Sequence, residues 1–400
     1  MTPNPISINS FNAVLENISR RVWGLLKKDK SVIGVDIGSS AIKVVQLREK
    51  RGKAVLETYG ELALGPYANL AIGQAAGLTT ERIGEALKDV MREASVTSKN
   101  AGIGIPLASS LITVIEMPFL SERQLKDMVP IEARKYIPVP ISEVNLDWRV
   151  LPEMEKAPSY EEAEKEEGDE ERGAHAEAQK PAERLKKARV LIAAIHNETL
   201  TKYQQIALKA ELRIGFFEIE VFSSLRALLR REPGTVFVLD IGAGTSKMLT
   251  IEEGIIVSSH TINRGSQDIT ATIARGLGVT MTKAEEMKRE IGLSQDPVHK
   301  NQRDLTTLVV QSIFSDASRV LLDYEKKFHK PVNKVILSGG GSLLLGIQEF
   351  AEKNLEVEII LADQFSKVET PAFLEETLKK AGPNFTVALG TALRMLEEVE

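Results

Sequence analysis

Cysteine is absent from the 400 residues, which excludes disulfides, thiolate metal sites and thiol nucleophiles and fits a reducing compartment. Histidine is scarce, and the five present show no metal-ligand spacing. An excess of positive charge is also missing: the formal net charge is -5, which argues against non-specific nucleic-acid binding, where a basic face must displace counterions from phosphates. No run approaches the ~20 apolar residues that span a bilayer, and the N-terminus lacks the compact apolar centre of a secretory signal. A cytoplasmic protein is expected. With 43% hydrophobic residues and a length of 400, the chain has material for two or more domains.

Residues 8–30 repeat apolar side chains at helical spacing, Phe11, Val14, Leu15, Ile18, Val22, Leu25 and Leu26, among Arg20, Arg21, Lys27, Lys28 and Lys30. A basic amphipathic helix of this kind either lies on an anionic membrane surface or docks on its own domain or a partner.

The clearest internal signal is a repeat. Residues 32–47 and 236–251 each read as a buried strand, a tight turn and a second strand, and Val32, Asp36, Ile37, Gly38 and Lys43 recur as Val236, Asp240, Ile241, Gly242 and Lys247. Two such hairpins half a chain apart indicate a duplicated lobe. Around them the pattern gives helices near 80–94, 121–135, 200–210, 267–276, 283–291, 305–328, 343–354 and 387–398. Strands are expected near 101–105, 111–116, 189–195, 255–261, 332–337 and 357–361, and strands alternating with helices make an α/β fold. Residues 153–188 differ: ten acidic residues lie between Glu153 and Glu171 with almost no large apolar side chain, so a disordered acidic loop is expected.

The turns suit phosphate. Gly, Ser and Thr let backbone N–H groups approach phosphate oxygens without Cβ interference, with hydroxyls of Ser39, Ser40, Thr245 and Ser246 as added donors beside Gly38, Gly242 and Gly244. Asp36 and Asp240 would repel bare phosphate, but they can hold a hydrated Mg2+ that bridges the phosphates. Lys43 is a candidate point charge on the same oxygens. One Asp-bearing turn closes many ordinary hairpins; two matched copies are harder to dismiss. Neither leads from strand into helix, as a Walker loop or dinucleotide fingerprint does. Gly339, Gly340, Gly341 and Ser342 follow an apolar strand and form either a close backbone approach to a nucleoside or a flexible connection. Glu285, Lys288 and Arg289 share a helix face and suit ribose and base, although Thr282 with Glu285 also reads as a capping box.

These four elements, in this order, resemble the nucleotide-binding superfamily of actin, chaperone ATPases and sugar kinases. The closer resemblance is to the PilM family of type IV pilus assembly, and next to the division protein FtsA, carried by residues 132–148, 218–227 and 384–394. It implies an actin-like, ribonuclease H-like fold with duplicated lobes and an extra subdomain of the FtsA/PilM type. The expected plan is an N-terminal extension 1–30, a first lobe 31–110 and 198–232, the extra subdomain 111–197 carrying the loop 153–188, and a second lobe 233–400. The resemblance also implies ATP or ADP with Mg2+ and a groove for the cytoplasmic N-terminal peptide of a PilN-like membrane protein. The protein would then sit peripherally at the inner-membrane platform. Departures are the long acidic insertion and Ala243, which stands where Gly is commoner. Glu218 and Glu220 are the candidates for positioning an attacking water, with hydrolysis expected to be slow. An FtsA-like, self-associating polymer former and a small-molecule kinase of the same fold are the alternatives.

Overall fold

A computed structural model describes residues 31–118, 121–151, 187–229 and 234–399. The amphipathic stretch 8–30 and positions 153–186 of the acidic stretch lie outside the described residues. An unbroken apolar run at the start of this range makes β1 (Ser31–Ile37), buried along its whole length, as a strand covered on both faces must be. β2 (Ala41–Lys50) runs antiparallel to it with Asp36 opposite Lys43, and β3 (Lys53–Ala63) continues the meander. After α1 (Thr80–Glu93), whose N-terminus is capped by Thr79 accepting from the Arg82 N–H, β4 (Asn100–Ile105) returns parallel to β1.

The chain then leaves this sheet for a small one. β5 (Ser110–Pro118) and β6 (Val144–Val150) flank β7 (Lys187–His196), giving the order β5-β7-β6. β7 begins two residues inside the stretch expected to be disordered. α2 (Glu122–Ala133) opens with the expected capping box of Ser121 and Gln124. Its Leu125, Val129 and Ala133 pack with Ile115, Met117, Val190 and Ile192 into a separate core. α3 (Asn197–Lys209) leads back to β8 (Arg213–Ile219), parallel to β4, and straight into α4 (Glu220–Leu228).

The second half repeats the first. β9 (Thr235–Ile241), β10 (Ser246–Glu252) and β11 (Ile255–Ile262) form a meander, followed by α5 (Ser266–Leu277), α6 (Met281–Ile291) and α7 (Lys300–Phe328). β12 (Lys334–Ser338), α8 (Ile347–Leu355) and β13 (Glu358–Leu361) complete it. The two large sheets have the orders β3-β2-β1-β4-β8 and β11-β10-β9-β12-β13, with matching antiparallel and parallel pairings. The duplication read from one hairpin therefore extends through five strands.

Three expectations change. The helix expected from 343 begins at Ile347, because Gly346 takes a left-handed φ of 80° at its N-cap and residues 340–343 form a 3-10 turn. α7 is long and apolar enough to cross a bilayer by length and composition, but Val309, Val310, Ile313, Phe314 and Ala317 are buried in the second lobe. Residues 364–399, placed with the second lobe from sequence order, pack on the first. α9 (Glu375–Ala381) and α10 (Thr386–Val399) bring Leu378, Ala388, Leu389 and Ala392 onto Val32, Val45, Leu47 and Leu56. An amphipathic pattern marks the buried face of a helix but not which sheet receives it.

Candidate functional site

The repeated hairpins point their turns into one cavity. Asp36, Gly38, Ser39, Ser40 and Lys43 line it from the first lobe, and Asp240, Gly242, Gly244, Thr245 and Lys247 from the second. Its volume is about 600 Å3, within the ~300–1,000 Å3 of small-molecule sites. Each turn closes in the same way, Gly38 N–H donating to the Ala41 carbonyl at 3.0 Å and Gly242 N–H to the Thr245 carbonyl at 3.1 Å. Ala243 is not among the residues with positive φ, so alanine brings no backbone strain there.

The charges repeat as well. Cross-strand pairing sets Asp36 against Lys43 and Asp240 against Lys247, and in both pairs the ammonium lies 3.6 Å from the carboxylate. Lys247 also meets Glu220 at 2.8 Å. Burial pushes the pKa of the Asp36 carboxyl up; Lys43 and Lys247 oppose this, while Glu220 and Asp240 add to it. Burial alone would lower the Lys247 pKa, but Glu220 and Asp240 outweigh it and hold the ammonium charged. A buried carboxyl whose ionisation is disfavoured in the bare protein suits a cation-binding role. Among the described residues no group of three or more His, Cys, Asp or Glu can hold a metal ion, so a Mg2+ here would take most of its shell from phosphate and water.

The glycine turn after β12 closes one wall. Gly339 has φ 79°, and a Cβ there would come within 2.2 Å of an Asp240 carboxylate oxygen, so only glycine fits against this carboxylate. Gly340, Gly341 and Leu343 continue the lining. Opposite them, α6 contributes Glu285, Lys288 and Arg289. The capping-box alternative for Glu285 is overturned, because Thr280 is the N-cap and accepts from the Lys283 N–H. Glu285 instead receives Thr270 Oγ1 at 2.6 Å, Lys288 Nζ at 2.6 Å and Arg289 Nε at 2.8 Å. Burial would raise its pKa, but these partners hold it low; burial likewise lowers that of Lys288 against the pull of Glu285.

A strap between β3 and α1 crosses from the first lobe to the second. The Ala75 N–H donates to Gln267 Oε1 at 3.0 Å. Gly73, at φ 87°, sits so close to Glu285 that a Cβ would lie 2.9 Å from its carboxylate carbon. Ile72, 54% exposed, lines the cavity beside it.

Three expected site residues face elsewhere. Ser246 Oγ donates to the Arg264 carbonyl and Ser342 Oγ to the Gly339 carbonyl, so both hydroxyls serve local structure. Glu218 does not line the cavity. Arg226 binds it through two nitrogens at 2.8 and 2.9 Å, Arg394 adds a contact at 2.9 Å, and Ser223 Oγ donates at 2.7 Å. Alternation along β8 sends Glu218 away from the cleft, whereas Glu220, at the first position of α4, faces it. Sequence reading missed Lys247 as a site residue although the repeat displayed it, and it missed Gly73 and Gln267, for which no local motif exists.

Two charged hairpins, a close-approach glycine turn and an ionised helix face around one cavity form an arrangement able to take a metal-chelated phosphate chain with a nucleoside beside it. The family model described as type IV pilus assembly protein PilM matches residues 34–164 and 175–396. The chain belongs to the PilM family. The cell division protein FtsA of Rhizobium meliloti (strain 1021) is 24% identical over 176 residues, and that of Staphylococcus epidermidis 26% over 175. The chain spans 38% and 35% of the length of these two relatives. Among solved structures, a "PilM-PilN type IV pilus biogenesis complex" superposes with a TM-score of 0.73 at 22% identity, covering 91% of this chain and 98% of that one. The ethanolamine utilization protein EutJ from Carboxydothermus hydrogenoformans gives 0.51 at 14% identity, covering 91% and 89%. The fold of this PilM-family chain is thus actin-like.

Proposed function

We propose that this PilM-family protein is a cytoplasmic ATP- or ADP-binding scaffold of the type IV pilus machinery, held at the inner membrane by the cytoplasmic N-terminal peptide of a PilN-like protein. The observation that carries the nucleotide reading is the pair of Asp–Lys hairpins, one from each lobe, facing one cavity. Backbone N–H groups of the two turns, with Ser39, Ser40 and Thr245, would surround the phosphates, and Asp36 and Asp240 would face a hydrated Mg2+. That ion would neutralise phosphate charge. Lys43 and Lys247 supply point charges, while Gly339, Gly340, Gly341, Glu285, Lys288 and Arg289 frame the nucleoside. The partner reading is supported by the family and by the PilN named in the complex above, with the three-stranded subdomain as the surface that receives the peptide.

Turnover is secondary in this reading. Of the two candidate glutamates only Glu220 faces the cavity, and its carboxylate is already held by Lys247 and by a backbone N–H. A carboxylate whose two oxygens are already engaged by an ammonium and a backbone N–H is poorly placed to orient an attacking water, so slow hydrolysis is expected. Titration with a fluorescent ATP analogue in Mg2+ tests the site. Micromolar binding that is lost in Asp36→Ala and Asp240→Ala supports it, and equal affinity in wild type and both variants refutes it.

A further inference from the structure

Glu220 makes two contacts that join parts of the molecule with different roles. One carboxylate oxygen lies 2.8 Å from Nζ of Lys247, in the second-lobe hairpin that lines the cleft. The other accepts the backbone N–H of Leu107 at 2.6 Å in a buried hydrogen bond. Leu107 begins the turn through which the chain passes from the first lobe into the three-stranded subdomain, three residues before β5. This turn is stiff. The Ser109 N–H and the Ser110 hydroxyl both donate to the Pro106 carbonyl, at 3.1 Å each, and the Leu107 side chain is anchored in the first-lobe core. Two residues back along the chain, Glu218 pairs with Arg394 at 2.9 Å. The segment 218–220 therefore meets the subdomain at its entry turn, through Glu220.

The subdomain also meets the second lobe, with β5 beside β11 and Arg189 of β7 3.7 Å from the buried Glu252. A change in the angle between the lobes must therefore be accommodated at its base.

We propose that Glu220 is a positioning residue that links the second-lobe hairpin at the cleft to the entry turn of the three-stranded subdomain, so that occupancy of the cleft sets the orientation of that subdomain. The idea rests on the nucleotide reading above and deepens it by naming the route of regulation. A phosphate chain arriving at Lys247 competes with Glu220 for the ammonium, and a carboxylate released from one partner is free to shift the other. The Leu107 hydrogen bond is short and buried, so movement of Glu220 is passed to the backbone that carries β5. A ligand shifts such an equilibrium only by its differential affinity for the two arrangements, and the exchange of partners at Lys247 provides that difference.

The absence of cysteine permits a direct measurement. Spin labels at Ser142→Cys, exposed on the subdomain, and Lys88→Cys, exposed on α1, report the orientation of the subdomain; a second pair, Lys88→Cys with Lys283→Cys, reports lobe closure. In the otherwise unaltered protein, saturating Mg-ATP should shift both distance distributions. In Glu220→Ala the closure shift should remain while the orientation shift disappears. Leu107→Pro removes the N–H end of the link and shortens a buried side chain, so Leu107→Ala, which keeps the N–H and should keep the orientation shift, is its packing control. Proline is tolerated at the first position of a 3-10 turn, and Pro106, at φ -59° and ψ 140°, already has the extended backbone required before proline. With the cleft intact, Leu107→Pro should bind the fluorescent ATP analogue with affinity changed less than about threefold, well under ~1.4 kcal/mol, and lose the orientation shift. Failure of the unaltered protein to bind nucleotide overturns both the site and the link. Binding with closure but no orientation shift, or an orientation shift that persists in Glu220→Ala and Leu107→Pro, overturns the link alone and leaves the nucleotide reading standing.

Discussion

Asp36 and Glu218 are both buried carboxylates, but their surroundings give their charges opposite consequences. For Asp36, burial raises the folded-state pKa, so the folded protein holds this proton more tightly than the unfolded chain does. Its contribution to stability is then present at low pH and is lost as pH rises through the raised value. At neutral pH, well above the unfolded-state carboxyl value, this raised pKa weighs against the empty fold. Asp36→Asn should therefore raise the melting temperature of nucleotide-free protein at pH 7 while weakening Mg-ATP at least about tenfold, ~1.4 kcal/mol. Calorimetry with and without ligand checks the two opposed effects. For Glu218, burial pushes the pKa up but Arg226, Arg394 and Ser223 outweigh it and hold it low. Its contribution is present above the unfolded carboxyl pKa of about 4.3 and is lost as pH falls through the folded value. Glu218→Ala would leave two partly buried guanidinium groups without their carboxylate, and breaking a buried pair in this way costs about 3–5 kcal/mol. Urea denaturation should show that loss, together with unchanged affinity for the ATP analogue. An unaltered denaturation midpoint would remove the structural role given to Glu218.

At the scale of elements, the strap over residues 65–78 and helix α10 are the parts whose placement has the largest consequence. The strap reaches the second lobe through Gly73 and Ala75. In Gly73→Val a branched side chain would have to take a left-handed φ and meet the Glu285 carboxylate, a strain of about 1–3 kcal/mol. The expected result is faster release of the fluorescent analogue in stopped-flow chase, roughly tenfold for ~1.4 kcal/mol; an unchanged off-rate would mean that the strap plays no part in retention. α10 covers Val32, Val45 and Leu47 with Ala388, Leu389 and Ala392. Substituting Leu389→Asp places an unpaired charge in that core and should abolish cooperative unfolding of the first lobe, read by near-ultraviolet circular dichroism. Local patterning made the existence of α10 legible. Its destination, β1, lies 354 positions earlier in the chain (Val32 to Thr386, 386 − 32), which no local window contains.

At the scale of the whole molecule, the two lobes are joined by a shared apolar surface, in which Val236, Val238 and Ile251 belong to the same buried cluster as Ile33 and Ile103, and by the strap at the mouth of the cleft. Closure around a ligand is then a small rotation about a fixed base, a movement of the hinge or shear type. Small-angle scattering should show a modest decrease in radius of gyration on adding Mg-ATP, with no increase in mass. Pelleting of filaments under the same conditions would favour the self-associating, FtsA-like alternative over a scaffold acting as a single copy.

The residues of the site were legible where chemistry repeats locally. Asp36, Gly38 and Lys43 lie within one hairpin, and their recurrence 204 positions later (240 − 36) revealed both the duplication and the pairing of lobes. Strand and helix periodicity, the Ser121 capping box and the family resemblance were carried by short windows in the same way. Orientation was not. Strand alternation alone would set Glu218 and Glu220, two positions apart, on one face; the switch from strand to helix at Glu220 separates them, Glu218 meeting Arg226 and Arg394 and Glu220 facing Lys247. Contacts that cross between lobes, Gly73 against Glu285 and Ala75 on Gln267, exist only once two independently folded surfaces meet. Sequence determined which groups are available and how each segment folds locally. Tertiary packing decided which of those groups share a cavity, because burial and long-range contact are properties of the assembled core and not of neighbours along the chain.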